Sequence, residues 1–122
     1  MSKAAKSVFS FAFVFIMGGL GLLVVPHTVL PLLGISSTDG LFVRLLGMVM
    51  LILAYYYIRA SMRELTDFFM WTVHVRTAGL VFYLVFYLLD LAPLVVIGFG
   101  VMDLLGALWT WWAIGTDKAE RA

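Results

Sequence analysis

The sequence predicts an all-α protein, a four-helix transmembrane bundle, on three observations. Of its 122 residues 64% are hydrophobic and 12% charged, which leaves too little polar surface to clothe a water-soluble core. Four apolar runs, about 7–25, 41–60, 68–91 and 93–114, each hold the ~20 residues that a helix needs to cross a bilayer core. None of them alternates in the ~10-residue pattern of a transmembrane β-strand, and a helix closes its backbone hydrogen bonds within the segment. A single domain covering 1–122 is expected.

The first run follows Lys3 and Lys6 and stops at Pro26. It outruns a signal-peptide h-region and has no small-x-small cleavage site before Pro26, so it reads as a retained helix. The connection 26–40 is too apolar for a free loop, with Val29, Leu30, Leu32, Leu33 and Ile35. We expect it to lie in the outer interface or dip back toward the core. Ser36, Ser37, Thr38 and Asp39 offer oxygens to cap the second helix, and Thr66 or Asp67 the third. Pro93 suits the first turn of the fourth helix. With only a tight turn at Leu91 and Ala92 between them, the third and fourth helices are expected to be antiparallel neighbours.

Lys3, Lys6, Arg59, Arg63, Lys118 and Arg121 fall on one side of these spans, against Arg44 alone on the other. That bias puts both short termini in the cytoplasm. Trp71, Trp109, Trp111 and Trp112 then gather toward the cytoplasmic interface as an aromatic belt. Of the run Tyr55, Tyr56 and Tyr57, which covers all sides of its helix, at most one ring points inward.

Arg76 and Asp103 stand about halfway along apolar runs, where a charge at a helix centre costs ~2.5–3.5 kcal/mol unless it faces protein or water. Measured from Phe68 and Pro93, they lie about 12 and 15 Å deep from opposite faces, nearly level in a ~30 Å core. An inter-helix ion pair Arg76/Asp103 is the economical expectation, with a second between Arg44 and Asp90. At 100° per residue Thr72, Arg76, Gly79, Tyr83, Tyr87 and Asp90 share one face of the third helix. On the fourth, Gly100, Asp103, Gly106, Ala107 and Thr110 share a face small enough for close approach.

Two readings of this interior compete. In one, buried ion pairs and hydroxyls only fix which helices meet and in what register. In the other, Thr72, Arg76, Tyr83, Tyr87, Asp103 and Thr110 line a cavity that takes a polar headgroup or a carbonyl. His74, two residues before Arg76, points about 200° away from it and reads as an interfacial residue. His27 lies in the outer connection, so the two histidines cannot share a metal or a haem. No metal, haem or other cofactor is expected. The sequence has no cysteine, no nucleophile elbow and no phosphate-cradling glycine loop, so we expect no catalytic residues and no enzyme. A net charge of +1 without a basic patch argues against nucleic acid.

The stretches Arg44-Leu45-Leu46-Gly47 and Asp103-Leu104-Leu105-Gly106-Ala107-Leu108-Trp109-Thr110, on four short helices, resemble the small bacterial integral membrane proteins grouped as DoxX-like or BphX-like. The resemblance covers most of the chain. It implies a bundle in the bacterial inner membrane and an accessory, scaffold or assembly role in a larger, possibly quinone-linked, redox complex. Length and helix number also match the small multidrug resistance transporters, but those carry a glutamate in helix one, and this first helix has no acidic residue. The expected partners are the lipid bilayer, other membrane subunits or further copies of this chain. A quinone, lipid or other lipophilic small molecule in the intrabundle cavity is the alternative, and a small homo-oligomeric transporter or channel ranks below it.

Overall fold

The computed structural model describes residues 1–34 and 40–121. Its elements are five α-helices: α1 (Lys3–Val24), α2 (Pro26–Leu32), α3 (Gly40–Met62), α4 (Thr66–Leu88) and α5 (Val95–Arg121). Four of them, α1, α3, α4 and α5, are long and apolar enough to cross a membrane. The fifth, Pro26–Leu32, is a short helix inside the expected outer connection. Pro26 sits in its first turn, where the missing N–H costs nothing. Val29 packs toward Gly21 of α1, and Gly34, at φ +72, takes the left-handed conformation just past the helix end. The proposed caps Ser36 to Asp39 lie outside the described residues.

The long helices also start and stop elsewhere than expected, for local reasons. α1 begins four residues before the expected Ser7 because its first turn is capped: the Ser2 hydroxyl accepts from the Ala5 N–H at 3.1 Å. α4 starts at Thr66, so Thr66 and Asp67 lie inside its first turn; Leu65 stands at the cap without a side-chain bond. Asp67 is favourable there through the helix dipole. α5 starts at Val95 rather than Pro93, whose carbonyl instead accepts from Val96 N–H at 3.2 Å. At its other end α5 runs on to Arg121, with Lys118 and Arg121 in the last turn.

Two helix ends close through the same device. At the end of α3, Glu64 is left-handed (φ 54) and Leu65 N–H returns to Ala60 O at 3.1 Å. At the end of α4, Asp90 is left-handed (φ 59) and Leu91 N–H returns to Phe86 O at 2.8 Å. Both are six-to-one closures of the kind glycine ordinarily makes.

The chain forms two compact units, Met1–Val8 with Ala60–Ala122, and Phe9–Arg59. In the first, α4 and α5 pack as antiparallel neighbours: Gly100 lies against Leu80 and Tyr83, and Gly79 against Asp103. Its buried residues include Ala4, Ala5, Val8, Phe69, Ala107 and Ala113. In the second, Phe11, Ala12, Leu22, Leu30, Ala54 and Tyr57 are buried. Tyr57 is the inward tyrosine, edge-on to Phe15 at 5.0 Å, while Tyr55 and Tyr56 are exposed. There α1 and α3 touch backbone to backbone: a Cβ on Gly19 would stand 2.8 Å from Gly47 O, and one on Gly47 2.7 Å from Gly19 O.

Candidate functional site

Among the described residues the buried polar side chains are Ser7, Ser61, Thr72, Arg76, Thr110 and Asp117, all within the first unit. Arg76 is 4% exposed. Its Nε donates to Thr72 O at 3.2 Å, and its Nη2 donates to both Thr72 Oγ1 and Thr110 Oγ1 at 2.9 Å. Thr110 Oγ1 also lies 2.9 Å from Ser7 Oγ. The chain Thr72–Arg76–Thr110–Ser7 thus ties α4 to α5 and α5 to the first turns of α1. Each hydroxyl has a single proton: Thr72 donates to Phe69 O at 2.7 Å, while of Ser7 and Thr110 one donates to the other and the second donates to its own helix carbonyl, Ala4 O at 2.7 Å for Ser7 or Gly106 O at 3.1 Å for Thr110.

Asp103 is half-buried beside Gly79, its Oδ2 3.7 Å from where a Cβ there would stand. It lies within the electrostatic reach of Arg76. The direct hydrogen bonds of the guanidinium to α5 go to Thr110, one face and two turns along from Asp103. Arg44 and Asp90 are both exposed, which corrects the expectation of a second buried pair. Asp90 stands in the turn past α4, where its work is the left-handed closure, and Arg44 folds over its own helix start at Gly40, its Nη1 3.0 Å from where a Cβ there would stand.

The expected inner cavity divides in the same way. Thr72, Arg76 and Thr110 are buried and joined to one another, Tyr83 and Asp103 are half-buried, and Tyr87 is exposed. The polar stripe of α4 opens outward as it approaches Leu88. A groove of about 330 Å³ lies along the α4–α5 pair beside that network. Met70, Val73, His74 and Thr77 line it from α4, and Ala107, Leu108 and Trp111 from α5. None of the six expected cavity residues is among them. Among the described residues no three of His, Asp and Glu come together as a metal site.

A second polar cluster holds the start of α1 and was not anticipated. Asp117, 6% exposed, accepts Lys3 N–H at 3.1 Å and Ala4 N–H at 2.9 Å, so a residue of α5 caps α1. Glu64 accepts the Ser2 N–H at 2.8 Å and the Ser2 hydroxyl at 2.6 Å, and Lys3 pairs with Glu120 at 2.6 Å. Partial burial raises the affinity of Glu64 for a proton, but the two Ser2 hydrogen bonds and the nearby chain-terminal ammonium outweigh it. The carboxyl is held below its ordinary 4.5. The signal for Asp117 was present as spacing: Asp103, Thr110 and Asp117 recur every seven residues and so share one face of α5. Glu64 carries no such signal, because its role follows from the turn it occupies.

No protein-family model, curated protein or solved structure matches this chain.

Proposed function

We propose that the protein is a non-enzymatic, four-helix integral membrane protein that acts as an accessory, scaffold or assembly component of a larger membrane complex. The observation that carries this reading is the use made of Arg76. Buried Arg76 directs its Nε and Nη2 onto Thr72 of its own helix and Thr110 of α5, contacts that fix helix register. Outside that network the long helices expose large apolar side chains, including Phe42, Leu46, Ile52, Val75, Phe82, Leu105 and Trp111, as surfaces for lipid or neighbouring helices. The excess of Lys and Arg at the two terminal sides supports an orientation with both ends in the cytoplasm. The resemblance to DoxX-like proteins points to the bacterial inner membrane and to redox complexes as the setting.

A second reading, a membrane protein that binds a lipophilic small molecule, has the α4–α5 groove in its favour. Gentle solubilisation followed by mass spectrometry of co-purifying chains and of extractable lipophiles tests both. A stoichiometric protein partner supports the accessory role. A retained small molecule on an otherwise isolated protein overturns it in favour of the second reading, and neither result leaves a homo-oligomer.

A further inference from the structure

We propose that the α4–α5 groove binds one zwitterionic phospholipid with a primary ammonium, of the phosphatidylethanolamine class, in the leaflet at the Lys118 end. The headgroup lies between Asp67 and Lys118, the ester carbonyls accept from His74 and Trp111, and an acyl chain follows the groove. This rests on the ligand-binding reading above and on α4 and α5 crossing a membrane.

Register puts these four residues at two heights. Arg76 touches Thr110 across the antiparallel pair; His74 comes two residues before the first and Trp111 one after the second, so the two groove residues are level to within one residue step. Asp67 lies seven residues before His74, and Lys118 seven after Trp111. Equal steps in opposite chain directions keep them level, about 10 Å further out, and two turns return each to the face of its helix that lines the groove. The indoles of Trp71, Trp109, Trp111 and Trp112 mark the boundary of the hydrocarbon. Asp67 and Lys118 then rise through the headgroup layer, roughly 5–8 Å thick on each side, and the long stem of the lysine can lean back into it.

Charge selects the headgroup. Asp67 and Lys118 are exposed and make no ion pair with each other or with another described residue, so the mouth of the groove presents one anion and one cation. A phosphate pairs with Lys118, and a primary ammonium donates to the Asp67 carboxylate. An anionic headgroup would meet Asp67 as a like charge, and the quaternary ammonium of phosphatidylcholine has no N–H to give it. Below them, the imidazole keeps at least one N–H in either protonation state and the indole has one. Neither has a partner among the described residues. Two donors at the hydrocarbon boundary match the two ester carbonyls of a diacyl lipid. Deeper still, Thr77 already donates to Val73 O at 2.8 Å, and Val73, Ala107 and Leu108 leave an apolar wall for a chain. Gly115 keeps the stretch between Trp111 and Lys118 clear, since a Cβ there would meet nothing within 4 Å. An open groove of about 330 Å³ suits part of a lipid that otherwise stays in the bilayer.

The test uses the purified full chain in phosphatidylcholine nanodiscs that carry equal minor fractions of phosphatidylethanolamine and phosphatidylglycerol with matched acyl chains. Native mass spectrometry counts the molecules retained, and a phosphatidylethanolamine with a diazirine in its acyl chain maps where they sit. One phosphatidylethanolamine is expected, in about tenfold preference over phosphatidylglycerol, the scale of one charge-assisted hydrogen bond, with cross-links at 70–77 and 107–111. Asp67→Lys should reverse that preference, and Lys118→Gln should weaken retention of both lipids. His74→Phe should weaken retention of all three phospholipids alike, and Tyr83→Phe should change nothing. The headgroup ratio is read within one sample, so it does not depend on how much of a variant folds. An unchanged ratio in Asp67→Lys would overturn the assignment, as would cross-links outside the groove. Retention of a different lipophile, with no preference among the phospholipids, would discard the headgroup site and keep the ligand-binding reading. No retained molecule of any kind would discard both.

Discussion

Around Gly19 and Gly47 two helices meet backbone to backbone, whereas around Arg76 and Thr110 they meet through side-chain hydrogen bonds. The first contact lies in the unit Phe9–Arg59, which buries no charged side chain among the described residues; the second lies in the unit that buries all of Ser7, Ser61, Thr72, Arg76, Thr110 and Asp117. The difference shows two answers to one problem. In lipid, apolar side chains gain little by leaving the solvent, so helices are held by close packing or by polar bonds that hydrocarbon cannot replace. One unit uses the absence of side chains and the other uses their polarity, so the two should fail differently under substitution.

The largest loss is expected from Gly47→Leu. A Cβ there would stand 2.7 Å from Gly19 O and 2.9 Å from Leu23 N, and neither backbone atom can rotate away. Separation of α1 from α3 should cost about 3 kcal/mol, the upper range for overpacking, read as the shift in an SDS-unfolding titration followed by circular dichroism. A shift no larger than that of an exposed control such as Leu46→Met would break the comparison on its glycine side.

Next comes Thr110→Val, which keeps the shape of the side chain and removes the oxygen shared by Arg76, Ser7 and Gly106. The expected loss is about 2 kcal/mol, since a buried guanidinium loses a partner. Ser7→Ala should cost less, and the double variant should cost less than the sum of the two singles, as expected of neighbours in one network. Strict additivity would show that the hydroxyls act separately.

Asp117→Ala removes the cap that α5 places on α1 and should cost about 1 kcal/mol. Its sharper signature is local: faster hydrogen exchange at the amides of Lys3 and Ala4, with that of α4 unchanged. The smallest effect belongs to Glu64. Its carboxyl is held below 4.5 in the folded protein, so the unfolded chain takes up the proton first. The stabilisation is present above pH 4.5 and fades as pH falls through the lower folded value. Because Glu64 is exposed, solvent screening keeps this small. Glu64→Gln should flatten the acid limb of a melting-temperature profile below that pH, and an unchanged limb would assign the acid sensitivity elsewhere.

Hydropathy located the four long helices to within a few residues at most ends, because length and apolarity are local properties of a segment. The errors were at ends that caps and left-handed turns decide, some of them completed from far along the chain. Ser7 looked like the start of α1, yet Asp117 of α5 satisfies donors four positions earlier. Asp90 looked like an ion-pair partner because its charge is legible in sequence, whereas its left-handed backbone is not. At the candidate site, periodicity correctly gathered Thr72, Arg76 and Thr110 on facing stripes. It could not show that their hydrogen bonds close on one another, nor that the open groove lies on the side of His74.

By itself the sequence determined that this chain makes long apolar helices with a few charges embedded in them, since composition and a 3.6-residue period suffice for that. Only the tertiary structure decided what those charges do. Whether Arg76 meets a carboxylate, a hydroxyl or a ligand depends on the rotation and offset of α5 against α4, which is set by how closely Gly79 and Gly100 let the helices approach. A shift of one residue along α5 turns each side chain by about 100°, and no local pattern carries that register.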